Sequence, residues 1–113
     1  MLIEHMSLTR VASAILAAAG APANHAEAVA QHLVEANLKG HDSHGVGMIP
    51  SYVKGMLDQQ VDPHRHAEII KDSNAIVSID AGTGLGRVVG IEAMDIGIDA
   101  CLLYTSDAAD DQA

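Results

Sequence analysis

The chain has 113 residues, 15 acidic against 6 basic side chains for a formal charge of -9, and a 49% hydrophobic share with no Phe or Trp. That share excludes a disordered polar chain, and the lack of any basic cluster argues against a nucleic-acid surface or a polybasic membrane contact. A single cysteine, Cys101, excludes an intrachain disulfide framework and suits a reducing compartment.

A core of Ala, Val, Ile, Leu and Met lacks the large buried areas that aromatics supply. That is thin for an independent domain and natural for part of a larger one. The negative field does nothing to gather anionic substrates, so any acid-binding site must be built locally. No apolar run approaches a membrane span. Arg10 followed by VASAILAAAGAPA imitates a secretory leader. Glu4 ahead of it, the missing lysine and the helical spacing favour an amphipathic first helix and a cytoplasmic protein instead.

Taken in chain order, Ser7 reads as an N-cap, with Leu8, Val11, Ala12, Ile15, Leu16 and Ala19 at helical spacing and Gly20 as the stop. A second helix opens at Asn24 with Glu27 in the capping-box position, carries Ala26, Val29, Ala30, Leu33, Val34 and Leu38, and closes at Gly40. The short link makes these an antiparallel pair. A third helix starts near Gly47, tolerates Pro50 in its first turn, presents Tyr52, Val53, Met56 and Leu57, and ends at Asp62-Pro63.

Beyond Pro63 the pattern changes. Ala67–Lys71 and Ala75–Asp80 read as strands joined by a turn at Asp72-Ser73-Asn74. AGTGLG is a glycine-rich turn, and Arg87–Ala100 is a helix with Val89, Ala93, Ile96 and Ala100 on one face. Strand, Gly82-x-Gly84-x-Gly86 and helix look like a dinucleotide fingerprint, but counted from Gly84-x-Gly86 the third glycine of that pattern falls on Val89, with Gly90 one residue late. A structural strand-to-helix turn is the better reading. CLLYTSDAADDQA then turns from apolar to acidic, and CLLYTSDAADD matches one translated frame of a common transposase-type sequencing adapter. Setting Cys101–Ala113 aside removes Asp107, Asp110 and Asp111, so the acids fall from 15 to 12, the charge becomes -6 and no cysteine remains.

The chemistry concentrates in GHDSHGVGMIPSY, residues Gly40–Tyr52. Asp42-Ser43-His44 holds the residue types of a hydrolase triad, but adjacent side chains seldom form that relay and no G-x-S-x-G elbow surrounds the serine. His41, Asp42, His44, His64 and His66 could ligate a metal, yet their spacing matches no strong signature and solvated side chains are the simpler reading. Gly45 and Gly47 allow a tight turn and close approach to a ligand, with a helix start beyond to receive a carboxylate or phosphate. Ser43 offers a donor or acceptor and His44 a group that titrates near neutrality, so the loop suits a 2-oxo acid or a cofactor and proton transfer. A plain connector fits the same residues equally well.

ANLKGHDSHGVGMIPSYV, residues Ala36–Val53, resembles the segment that marks the type 2 malate/L-lactate dehydrogenase family, and SIDAGTGLGRVVGIEAMDIGI supports the likeness. The Met-Ile-Pro-Ser-Tyr variant is most like the hydroxycarboxylate dehydrogenase B branch; other branches have arginine where Met48 stands, which puts malate-like diacids in doubt. The resemblance implies an NAD(P)-dependent oxidoreductase of 2-hydroxy and 2-oxo acids, NAD favoured, homodimeric and without a Rossmann fold. It implies an α+β or α/β fragment: a helical segment over 1–61 bearing the Ser-His-Gly loop, and the start of an incomplete non-Rossmann nucleotide-binding domain over 62–100. In the family the first helices pack with a C-terminal helical segment. The cofactor-contacting histidine falls on His44, and Ser43 stands where a hydroxyl faces substrate. The principal proton-transfer histidine belongs to a later Asn-His motif that these residues do not include, as do the nicotinamide-binding loops. The chain would then be the N-terminal third of an enzyme, inactive alone. The alternative is a small non-enzymatic His-rich helical module that binds a metal or a partner helix.

Overall fold

Two helices begin the fold, α1 (His5–Ala18) and α2 (Ala23–Leu38), in a computed structural model that describes residues 2–73 and 76–112, with side chains described through Leu103. Their contact is built from small residues: Ala12 and Leu16 of α1 pack with Ala26, Val29, Ala30 and Leu33 of α2. Alanines let the two backbones approach closely, and burial of Leu16 and Leu33 contributes about 1.5–3 kcal/mol each. Both helices end in the same way. Gly20 and Gly40 adopt φ +124° and +83°, and paired 6→1 and 5→2 backbone bonds (Ala21 to Leu16 with Gly20 to Ala17, His41 to Ala36 with Gly40 to Asn37) close each Schellman motif.

The caps at the other ends differ from the sequence reading. Glu4, not Ser7, caps α1: its carboxylate accepts from the amides of Met6 and Ser7 and from the Ser7 hydroxyl. Those bonds, the Ser7 side chain foremost, hold the Glu4 carboxyl below its ordinary range. Pro22 takes the cap position of α2 without a side-chain bond, so Asn24 lies inside the helix rather than before it. Val11 and Ile15 are exposed, so only part of the stripe read on α1 meets α2.

After α2 the chain makes two 3-10 turns, Asp42–His44 and Val46–Met48, before α3 (Ile49–Leu57). The third helix therefore starts two residues later than the glycine spacing suggested, with Pro50 in its first turn. It ends at Leu57, well before Asp62-Pro63, through a further Schellman closure in which Gln59 occupies the left-handed region at φ +60°. Ile49 and Met56 pack into the α1–α2 core, with Tyr52 and Val53 half-buried against it.

Strands β1 (Glu68–Ser73) and β2 (Ile76–Asp80) form an antiparallel hairpin with an irregularity between Ile69 and Lys71. Asp72 and Ser73, read as turn residues, pair with Val77 and Ile76 instead, and Asn74 lies outside the described residues together with Ala75. Ile69, Ile70 and Ile76 remain exposed on this hairpin. A glycine-rich turn with Leu85 buried then leads into α4 (Gly86–Gln112), where Val89 is buried and Ala93, Ile96 and Ala100 are half-buried, as the spacing predicted, and Val88 is buried beside them. The helix runs on past Ala100, so the compositional break at Cys101 is not a break in the backbone. No helix among the described residues is long and apolar enough to cross a membrane.

Candidate active site

The glycine-rich turn holds a side chain of its own. Gly82 has φ +56°, and a Cβ there would stand 2.8 Å from Nε of Arg65; at Gly84 it would stand 2.7 Å from Val89 and 3.2 Å from Arg65 Cβ. Arg65 in turn reaches Glu68 at 3.2 Å and Asp80 at 3.4 Å. The glycines make room for this arginine.

The Ser-His-Gly loop is different. Its 3-10 turns are closed by short-range bonds, from the His44 amide to the His41 carbonyl at 2.9 Å, from Gly45 to Asp42 at 3.1 Å and from Met48 to Gly45 at 3.0 Å. Ser43 and His44 are both exposed, and Ser43 Oγ shares a 3.0 Å hydrogen bond with His44 Nδ1. That contact leaves Nε2 as the free ring nitrogen. The His41 ring stands edge-on to His44, with centroids 6.4 Å apart. Below the loop, the Asn37 side chain of α2 donates to Asp42 and accepts from the amide of Val46, each at 2.9 Å.

His44 faces an open groove of about 410 Å³ shared with His32, Glu35, Ala36, Lys39 and His41 of α2 and the loop, and with Arg87 at the start of α4. Lys39 bonds Glu35 at 2.7 Å. That hydrogen bond, with the charges of Lys39, Arg87 and His32, keeps the Glu35 carboxyl below its ordinary range, so it stays ionised at neutral pH. Glu35 thus offsets one of the groove's two permanent cations, and Arg87 makes no ion pair among the described residues. In a chain of net charge -9 this is a local cationic patch beside a titratable imidazole. Such a donor set suits a carboxylate or a phosphate.

The other sequence candidates are dispersed. His66 bonds Glu92 at 2.8 Å and stacks edge-on against His25, with centroids 5.2 Å apart. Among the described residues no three His, Cys, Asp or Glu side chains converge as a metal site. Asn37, Lys39 and Arg87 were not singled out by the sequence reading. For Asn37 a signal was present: it continues the buried stripe of Leu33 and Val34 at helical spacing, where the apolar Leu38 was placed instead. Leu38 is 65% exposed and Asn37 half-buried.

The profile of the family described as malate/L-lactate dehydrogenase matches residues 3–104. The chain belongs to that family. It is similar to hydroxycarboxylate dehydrogenase B of Escherichia coli O157:H7, 45% identical over 80 residues that make up 71% of this chain and 22% of that protein. Its likeness to L-sulfolactate dehydrogenase of Methanocaldococcus jannaschii is 39% over 79 residues, covering 70% of this chain and 23% of that one. A solved malate/lactate dehydrogenase from E. coli superposes with a TM-score of 0.85 at 35% identity, covering 92% of this chain and 29% of that chain. The chain therefore spans less than a third of the length of these malate/lactate dehydrogenase relatives. Helical segment, hairpin and α4 together correspond to a part of their fold.

Proposed function

We propose that this chain is the N-terminal part of an NAD(P)-dependent oxidoreductase that interconverts 2-hydroxy acids and 2-oxo acids. NAD is the favoured cofactor, the complete enzyme is a cytoplasmic homodimer, and the chain alone does not turn over substrate. Residues 1–61 form its helical segment, residues 62–100 open its nucleotide-binding domain, and Cys101–Ala113 is an adapter-derived, non-native tail. The reading is carried by one observation: Ser43 and His44 are held as a hydrogen-bonded pair at the mouth of a groove that also presents Lys39 and Arg87. Membership of the malate/L-lactate dehydrogenase family, and relatives named for hydroxycarboxylate and sulfolactate, support a hydroxy acid as the substrate class.

The groove's cations would hold the carboxylate of the acid or a phosphate of the cofactor, and His44 would align nicotinamide with substrate. The bound nicotinamide supplies or accepts the hydride. Ser43 would fix the imidazole through Nδ1 and leave Nε2 available to the cofactor and substrate, while the principal proton transfer stays with the histidine of the later Asn-His motif.

The test is the parent reading frame. Its continuation past Ala100 into an Asn-His motif, with oxidation of reduced nicotinamide by a 2-oxo acid in the expressed product, is the expected result. A natural stop near Ala113 in clean genomic sequence would defeat the reading.

A further inference from the structure

We infer that Asn37 is the positioning residue of this site, setting where Ser43 and His44 stand against the groove. The inference rests on the oxidoreductase reading and goes beyond it, because Asn37 faces neither the groove nor any reacting atom. Its carboxamide leaves the last turn of α2 and works in both directions at once. Nδ2 donates to the Asp42 carboxylate, the residue before Ser43, and Oδ1 accepts from the amide of Val46, two residues after His44. One planar group on a helix thus ties both ends of the segment that bears the reactive pair.

A third observation shows that the amide is packed as well as bonded. Gly45 is buried with no left-handed φ to explain it, and a Cβ built there would run into the Asn37 carboxamide. The loop's own 3-10 bonds link the loop only to itself. Its other backbone bonds to α2, from the His41 amide to Ala36 and the Gly40 amide to Asn37, belong to the helix cap and lie ahead of the reactive pair. Glu35 of the groove wall stands on the same helix and Lys39 at its C-terminal cap, so Asn37 fixes the distance from the imidazole to that wall. Asparagine suits the task because it donates and accepts from one rigid plane; an aspartate accepts but cannot donate, and a leucine does neither.

The test compares three variants of the complete enzyme, Asn37→Asp, Asn37→Asp with Asp42→Asn, and His44→Ala, reading kcat, KM and thermal midpoint. In Asn37→Asp the new carboxylate still accepts from Val46 but opposes Asp42. kcat should fall about 10- to 100-fold, as for a misplacement near 1 Å, with KM and the folded fraction at assay temperature little changed. In the double variant the carboxamide introduced at position 42 donates to the carboxylate introduced at position 37, and kcat should recover to within about threefold of the parent. A parent-like kcat in Asn37→Asp beside an impaired His44→Ala overturns the role of Asn37 and leaves the site standing. So does a loss that the exchange fails to repair. A fully active His44→Ala overturns the site itself, and the inference with it.

Discussion

Ser43 Oγ and His44 Nδ1 lie 3.0 Å apart, so two consecutive side chains of a 3-10 turn share one hydrogen bond at the mouth of the groove. Neighbouring residues rarely meet in this way in a strand or helix. Here the tight turn brings both side chains to the solvent side. The serine orients the ring, while the histidine alone reaches the groove.

Replacing the serine should therefore cost less than replacing the histidine. Ser43→Ala in the complete enzyme should lower kcat about five- to tenfold, the worth of one ordinary hydrogen bond of about 1 kcal/mol. Steady-state kinetics decide this. A loss equal to that of His44→Ala would assign Ser43 a direct role in the chemistry.

Gly45 and Gly47 look equivalent in the sequence and are not equivalent in space. A methyl group at Gly45 meets the Asn37 carboxamide, whereas at Gly47 nothing lies within 4 Å. Gly45→Ala should destabilise the chain by about 1–3 kcal/mol through overpacking, and Gly47→Ala should stay within about 0.5 kcal/mol of the parent. Urea unfolding of the two variants checks the contrast. Equal effects would mean that the loop does not rest on Asn37.

Gln59 closes α3 in the left-handed region, at φ +60°, a position that glycine fills at the ends of α1 and α2. Gln59→Gly should stabilise the chain by about 0.5–1 kcal/mol, since the Cβ strain of about 1–2 kcal/mol is relieved against glycine's larger entropy loss. A higher thermal midpoint is the expected result; an unchanged or lower one would show that the closure is not strained.

Much of this architecture was legible because helical spacing and glycine stops are local signals. The α1–α2 pair, its Ala-rich contact and the buried face of α4 follow from them. The caps were misread for a physical reason: Glu4 is a less usual capping residue, and Ser7 is drawn to its carboxylate, which sequence preference alone does not show. Ser43 and His44 were picked out by motif, but Arg87 reaches the same groove from 43 positions further along the chain, a meeting that only folding supplies. Asn37 was passed over because a polar residue on a buried stripe reads as noise until its two partners are seen.

Glu92 gives the fold a pH dependence of definite sign. Partial burial pushes its carboxyl up, but the His66 bond at 2.8 Å and the Ala67 amide at 3.2 Å outweigh it, and the net shift is downward. A lowered carboxyl stabilises the fold above its unfolded value of about 4.3, and that contribution is lost as pH falls through the lower folded value. With the His66 side chain 63% exposed, solvent screening keeps the contribution under about 1 kcal/mol. The stability difference between the parent and Glu92→Gln should be level from about pH 6 to 5 and shrink below about pH 4. A difference that grows on acidification would contradict the assignment.

The most direct measurement is the kinetic effect of His44→Ala in the complete enzyme, assayed with a 2-oxo acid and reduced nicotinamide. His44 lines the cationic groove, and under the proposed function it aligns cofactor with substrate, so kcat/KM should fall by at least about 100-fold while the thermal midpoint stays near that of the parent. A variant within about twofold of the parent in kcat/KM would contradict the account, because the transition state would then owe nothing to this loop.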